Sequence, residues 1–371
     1  MVETIKDDEF GMYADFDNRY RRQDTRFGIE RAALARLPVI DLSPFLASGS
    51  RTERLRVAAA LRAACIDIGF FYLIGHGIAQ AELDELVAWG HRFFDLPIEE
   101  KMKAHKGPMV EGFMRVGGLN PEANPDQAPD LKERLTMVRG PIGGEPVLAG
   151  RRSSHNQWPD ERLLPGFAAF MMAHVARRVR VAQNLARAFA LALDLAEDHF
   201  DSVYRYPSCT LIFNYYPQLN TGALERTRWS FSPHTDYCTF TLLSQDTLGG
   251  LQVRNSAGEW IDVPPVGGNF VVNIGDLFAM WTNDLFSSNL HRAANTSGKA
   301  RISVPLFVSP QDDTVIRCLP TCQNASNPPR YEPVESANYL SNLVAQSYRT
   351  GRVGVAVRTA ERFQKSAGAD S

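Results

Sequence analysis

The sequence predicts a mainly β fold with α-helical flanks, organised on a jelly roll, and three observations predict it. From Tyr206-Pro207 to Pro310, short β-rich runs alternate with Gly, Pro and Asn-Asp turns. The runs are Cys209 to Tyr216, Thr239 to Leu243, Leu251 to Arg254, Trp260 to Val263, Phe270 to Ile274, Phe278 to Thr282, Ser288 to Ala293 and Ile302 to Ser309; eight strands suit a jelly roll, whose mouth can enclose a ligand. Before Tyr206 the periodicity is helical, longest between Pro165 and Leu195.

In chain order, residues 1–36 are rich in Asp, Glu and Arg and read as a loosely held extension. A region packing on the core, mostly helical, follows over 37–205, the jelly roll over 206–310, and a C-terminal helix with a polar tail over 311–371. Leu37 to Leu42 is a short apolar strand bounded by Pro and Ser. Thr52 to Ile68 places Leu55, Ala59, Ala63 and Ile66 on one helical face. Gly69 to Gly75 reads as a buried strand, and His76, between two glycines, as a turn residue. Ala79 to Phe94 is helical, and Pro97 opens another helix with acids in its first turn, where the dipole favours them. Gly107 to Pro129 is a long irregular segment placed to border a ligand, and Asp130 to Leu135 restores a short regular element. In the long helix, Phe167, Phe170, Met171, His174, Val175, Val179 and Ala182 share a face, His174 as a packed residue; Arg177, Arg178 and Arg180 form the solvated side.

Composition excludes some functions. A net charge of -2 makes no electrostatic case for nucleic acid or an acidic membrane. No apolar run approaches the ~20 residues of a membrane span, and the polar first ten residues do not resemble a signal peptide. Five scattered cysteines, with Cys318 and Cys322 in an unbridged surface loop, are no disulfide framework; a reduced cytoplasmic setting is expected.

The chemistry concentrates in Ser232-Pro233-His234-Thr235-Asp236. In an extended strand, side chains two apart point the same way, so His234 and Asp236 present an imidazole and a carboxylate to one point, and His291 can complete the set. Two histidines and a carboxylate with open positions suit non-haem Fe(II) that must take up a co-substrate and O2. The strand opening Arg301-Ile302-Ser303 carries Arg301 and Ser303 on one face, with Ile302, Val304 and Leu306 on the other. A desolvated arginine and serine call for a ligand, and a dicarboxylate matches the guanidinium fork and the hydroxyl. Asn214 and Tyr216 share a face near the other end of such an acid. Pro305 lacks a ladder donor, which predicts an edge strand or a bulge.

The ordered set His234-x-Asp236, 54 intervening residues, His291, then Arg301-x-Ser303, resembles the Fe(II)/2-oxoglutarate-dependent dioxygenases of the isopenicillin N synthase-like family. Pro38-Val39-Ile40-Asp41-Leu42, Gly69-Phe70-Phe71, Asp130-x-Lys132-Glu133, Asn214-Tyr215-Tyr216-Pro217, Leu248-Gly249-Gly250-Leu251 and Asn273-Ile274-Gly275-Asp276 extend the resemblance over roughly residues 37–350. It implies a double-stranded β-helix core. It also implies Fe(II) on His234, Asp236 and His291, and 2-oxoglutarate with its distal carboxylate on Arg301 and Ser303, its chelating end beside Asn214 and Tyr216. The implied reaction consumes O2 and 2-oxoglutarate, releases succinate and CO2, and hydroxylates a small molecule, or desaturates or cyclises it.

Candidate substrate-pocket residues are Phe113, Arg115, Trp229, Phe231, Tyr237 and Phe307, with Arg226 and Arg228 in the same approach loop as solvated residues or partners of an acidic group. The competing readings are an isopenicillin N synthase-type oxidase without 2-oxoglutarate, a non-catalytic organic-acid-binding jelly roll, and a zinc hydrolase, which leaves Arg301 and Ser303 without work.

Overall fold

Apolar strands from both halves of the chain assemble into two sheets that enclose the predicted site. The computed structural model describes residues 23–24, 29–46, 49–105, 112–115, 132–140, 156–218, 231–293, 295 and 297–350. Its strands are β1 (Gln23–Asp24), β2 (Ile29–Glu30), β3 (Val39–Asp41), β4 (Phe70–Ile74), β5 (Gly112–Met114), β6 (Glu133–Val138), β7 (Ser208–Tyr216), β8 (Phe231–His234), β9 (Phe240–Gln245), β10 (Leu251–Arg254), β11 (Trp260–Val263), β12 (Phe270–Ile274), β13 (His291–Ala293), β14 (Arg301–Ser309), β15 (Val315–Ile316) and β16 (Val334–Glu335). The helices are α1 (Ser43–Leu46), α2 (Arg51–Asp67), α3 (Gln80–Phe94), α4 (Ile98–Lys103), α5 (Phe167–Ala192), α6 (Asp276–Trp281) and α7 (Ser336–Thr350). The large sheet runs β3-β4-β12-β9-β14-β7-β6-β5 and the small one β11-β10-β13-β8. Four strands of the large sheet precede residue 206, so the N-terminal region extends the jelly roll's own sheet.

The outer face of the large sheet is apolar, and helices cover it. Phe213, Ile302, Val304 and Leu306 meet α3 and α5 in the main core. Gly90 lets α3 approach closely: a Cβ there would stand 2.9 Å from both Ile302 and Phe213 side-chain carbons. Ser50 and Glu53 form a reciprocal cap at the start of α2. The buried stripe of α2 is Ala58, Leu61, Ala64 and Cys65, whereas Leu55 is 43% exposed. The expected stripe is one position off, because alanines on both faces carry little directional signal.

Four further expectations are corrected. Phe278 to Thr282 is not a strand: Asp276–Trp281 forms α6, since a short, wholly apolar run does not distinguish a buried helix from a strand. Pro305 lies in a central strand without a bulge; the β14–β7 register passes from Ser303↔Asn214 to Leu306↔Leu211 unshifted. Cys318 and Cys322 are unbridged but buried. Arg178 is buried in the core, its guanidinium donating to Val304 O (3.0 Å), Leu242 O (3.3 Å) and Ser244 Oγ and lying 4.7 Å from the Phe270 ring. A buried guanidinium persists only where acceptors surround it, and these pin α5 to the strands that carry the site on their other face.

His174 is packed, as expected: it is fully buried, with Nδ1 2.5 Å from Glu82 Oε1, which also accepts from Arg177 Nε at 2.8 Å. Burial pulls its pKa down to about 4, Arg178 adding to the effect against the opposing pull of Glu82. The unfolded chain therefore binds a proton at His174 that the folded chain refuses, so stability falls as pH drops from 6.5 toward about 4. Between pH 7 and pH 5 the loss is expected to be about 2 kcal/mol by urea unfolding, and smaller in His174→Gln.

Candidate active site

Two strands of the small sheet carry the two imidazoles. In the β8–β13 pair His234 stands opposite His291, and their ring centroids lie 4.1 Å apart. The strand ends at His234, so Asp236 lies two residues beyond it, in the loop before β9. Strand alternation therefore does not aim this carboxylate, contrary to expectation. The large sheet does: Thr241 Oγ1 and Asn273 Nδ2 donate to Asp236 Oδ2 at 2.6 and 2.7 Å. The other oxygen, Oδ1, faces His291 Nε2 at 3.6 Å and His234 Nε2 at 3.9 Å.

Among the described residues, His234, Asp236 and His291 are the group of potential metal ligands that converges, their donor atoms all within 4.8 Å of one another. All three are buried. Burial alone raises the Asp236 pKa, but the adjacent His291, then His234 and the Asn273 hydrogen bond, outweigh it and hold the carboxyl well below its usual range. His291 Nδ1 lies 3.3 Å from Asn289 O; a proton on Nδ1 serves that carbonyl and leaves the Nε2 lone pair free to bind a metal. An N2O set with one oxygen tied back and open positions beyond fits Fe(II).

A hydrogen-bonded frame holds the loop between the ligands. Asp276 accepts from Thr235 Oγ1 at 2.9 Å and Ser288 Oγ at 2.7 Å, joining the Asp236 arm to the His291 arm. Its backbone N–H donates to Asp236 O at 2.7 Å. Gly275 permits this: a Cβ there would meet Cys238 O at 2.1 Å. Sequence reasoning misses Thr241 and Asn273 as supports; Asn273 lies within a matched motif, while Thr241 gives no signal. Thr241→Val, nearly isosteric but without the donor, is expected to weaken metal binding about 10-fold or more in an anaerobic titration.

The four residues expected to meet a dicarboxylate form a second cluster on the same face of the large sheet. Arg301 pairs across the ladder with Tyr216, and Ser303 with both Asn214 and Gln245. All four predicted residues are thus brought together, and all are buried. The Arg301 guanidinium donates to Gly249 O and, at 3.3 Å, to Gln245 Oε1, and lies 4.8 Å from the Tyr216 ring. Asp246 fastens the strand start by accepting from Ile302 N at 2.5 Å. These supports come from the Gln245 to Gly249 turn, whose Gly249 has φ +77°, a conformation that favours glycine.

The candidate substrate residues divide. The Phe231 ring sits 3.8 Å from that of His234, with Lys132 Nζ 2.8 Å from its own centroid. Phe307 pairs with Thr241 and so shares the face of the site. Tyr237 is half-buried and packs against the main core. Phe113 leaves the pocket: it pairs with Leu135 and packs against Phe93 on the helix-covered face, because strand alternation turns Gly112 and Met114 toward the site instead. Arg115 is exposed. Trp229, Arg226 and Arg228 lie outside the described residues.

Comparison with known proteins agrees with this geometry. Residues 37–161 match the family model described as non-haem dioxygenase in morphine synthesis N-terminal, and residues 207–310 match that of the 2OG-Fe(II) oxygenase superfamily. The chain is 35% identical over 341 residues to the 2-oxoglutarate-Fe(II) type oxidoreductase ppzC of Metarhizium majus, covering 87% of this chain and 90% of that protein. A full-length Neurospora crassa protein crystallised in complex with alpha-KG and thymine superposes with a TM-score of 0.74 at 29% identity, covering 86% of this chain and 100% of that one. The structure of JOX2 with 2OG, Fe and JA gives 0.71 at 25% identity, over 92% of this chain and 93% of that one.

Proposed function

The chain belongs to the 2OG-Fe(II) oxygenase superfamily and is a 2-oxoglutarate- and Fe(II)-dependent dioxygenase that acts on small molecules; from this premise we propose how its residues divide the work. His234, Asp236 and His291 hold the Fe(II); Arg301 and Ser303 hold the distal carboxylate of 2-oxoglutarate, with Asn214 and Tyr216 beside its other end. The observation that carries this reading is the convergence of three ligand atoms within 4.8 Å beside a buried Arg301-Ser303 pair. When bound, Fe(II) and 2-oxoglutarate supply the oxidising power for a C–H bond, at the cost of O2 and with release of succinate and CO2.

The protein contributes position and dryness. Thr241 and Asn273 tie back Asp236 Oδ2 so that Oδ1 alone faces the metal position. Gly249 and Gln245 orient the Arg301 fork before the co-substrate arrives, so little side-chain entropy remains to be lost on binding. Burial excludes water from both clusters and strengthens the charge pairing.

Hydroxylation is the reaction we propose. The substrate body packs against Phe231, whose ring lies against His234, and against Phe307 and Met114, which share the site's face of the large sheet. The solved relatives bind thymine and JA, molecules of different chemistry, so the pocket wall rather than the metal cluster selects the substrate. A reducing, cytoplasmic compartment accords with five unbridged cysteines.

The test is an anaerobic titration of Fe(II)-loaded protein with 2-oxoglutarate, watching for the weak visible charge-transfer band of a chelated keto acid. A band that saturates in wild type and is lost in Arg301→Ala is expected. Its absence with iron demonstrably bound would overturn the co-substrate assignment and favour an oxidase without 2-oxoglutarate.

A further inference from the structure

The segment 29–36, expected to be loosely held, contains one of the most completely buried large side chains of the molecule. Arg31 is 0% exposed. Its guanidinium donates to Ser287 Oγ at 2.6 Å, to Asp284 O at 3.1 Å, to Leu285 O at 3.4 Å and to Ile66 O. Three of these four acceptors belong to residues 284–287, the stretch between α6 and the strand that opens with His291. The flanking backbone is tied as well: Ala32 N donates to Asp67 Oδ1 at 2.9 Å, and Ser256 Oγ donates to Ala32 O at 3.0 Å.

The acceptor stretch leads directly into the metal cluster. Ser287 Oγ donates to Ile66 O at 2.9 Å and Asn289 Nδ2 to Ile68 O at 2.7 Å, fixing the stretch on the end of α2. Ser288 reaches Asp276, which also holds Thr235 between His234 and Asp236. Asn289 O is the acceptor that faces His291 Nδ1. The backbone here is irregular, with Asn283 and Asp284 at φ +54° and +66°, so the regular ladder does not hold it. Buried carbonyls in such a turn need donors from elsewhere, and a guanidinium supplies up to five in one plane.

We propose that Arg31 is a positioning residue for the metal site: the N-terminal arm inserts a cation beneath the 284–289 turn and thereby sets the orientation of His291. The proposal rests on the reading of His291 as a metal ligand. It makes the arm a working part of the enzyme, although it lies outside both matched family regions.

The experiment compares full-length wild type, Arg31→Ala, Arg31→Lys and His291→Ala by anaerobic titration with Co(II), whose visible spectrum reports ligand geometry, alongside thermal unfolding of the metal-free proteins. Arg31→Ala is expected to bind Co(II) about 10-fold or more weakly, with an altered band, in protein that remains folded. Arg31→Lys keeps the charge but not the fork and is expected to fall between the two. If Arg31→Ala does not fold, Arg31→Lys decides: a band and affinity equal to wild type overturn the proposal, because a purely structural role lowers the unfolding temperature and leaves the folded protein's metal site unchanged. The same result in folded Arg31→Ala overturns it too. His291→Ala separates the premise: wild-type Co(II) binding there would remove His291 from the ligand set, whereas weak binding there with normal binding in both Arg31 variants would refute only the positioning role.

Discussion

Asp236→Ala is expected to abolish turnover, by at least about 10³-fold, while the chain stays folded. In the proposed site Asp236 supplies the oxygen of an N2O set, and two histidines 4.1 Å apart by ring centroid offer no third donor. The substitution also strips acceptors from the buried Thr241 hydroxyl and Asn273 amide, at about 1–3 kcal/mol for each donor left unsatisfied. That loss lowers the unfolding midpoint without dissolving the sheets, whose cores lie elsewhere. Anaerobic metal titration, circular dichroism and succinate release measured on one preparation separate the effects. Near-normal turnover in folded Asp236→Ala would remove it from the ligand set.

Arg301→Ala is expected to raise the KM for 2-oxoglutarate by about 100-fold while leaving Fe(II) affinity within about threefold of wild type. The asymmetry follows from placement. Arg301 bonds to Gly249 and Gln245 and lies against Tyr216, so its hydrogen bonds hold the proposed co-substrate pocket rather than the proposed metal ligands. Loss of a charged fork in a buried pocket costs about 3 kcal/mol, which the fold-change expresses. Arg301→Lys keeps the charge without the second parallel donor and is expected to recover only part of the affinity. An unchanged KM in folded Arg301→Ala would mean that the carboxylate docks elsewhere.

The fold and the shared face of the proposed co-substrate residues are legible in the sequence because they depend on short-range regularities. Period-two alternation assigns Arg301 and Ser303 to one face and Ile302, Val304 and Leu306 to the other, as the register has them. Where the pattern is ambiguous, reading it fails. The Leu277 to Trp281 part of α6 is apolar throughout and fits a strand equally well, and charge alone places Arg178 in solvent because it does not reveal the strand carbonyls and Ser244 that accept its donors. Phe113 belongs to a long irregular segment that suggests the pocket, and pairing with Leu135 moves it to the opposite face.

By itself the sequence supplied the candidate chemistry: two imidazoles, a carboxylate and an Arg-x-Ser pair, set among strands whose lengths and turns specify the jelly roll. Only the tertiary structure decided what aims those groups. Asp236 lies past the end of its strand and is oriented by Thr241 and Asn273 from two other strands, and the turn before His291 is clamped by Arg31 from about 260 residues upstream. The reason is physical: a ligand's identity is a local property of the chain, whereas a hydrogen bond that fixes its direction comes from whatever the folded sheets bring within about 3 Å, at any sequence distance.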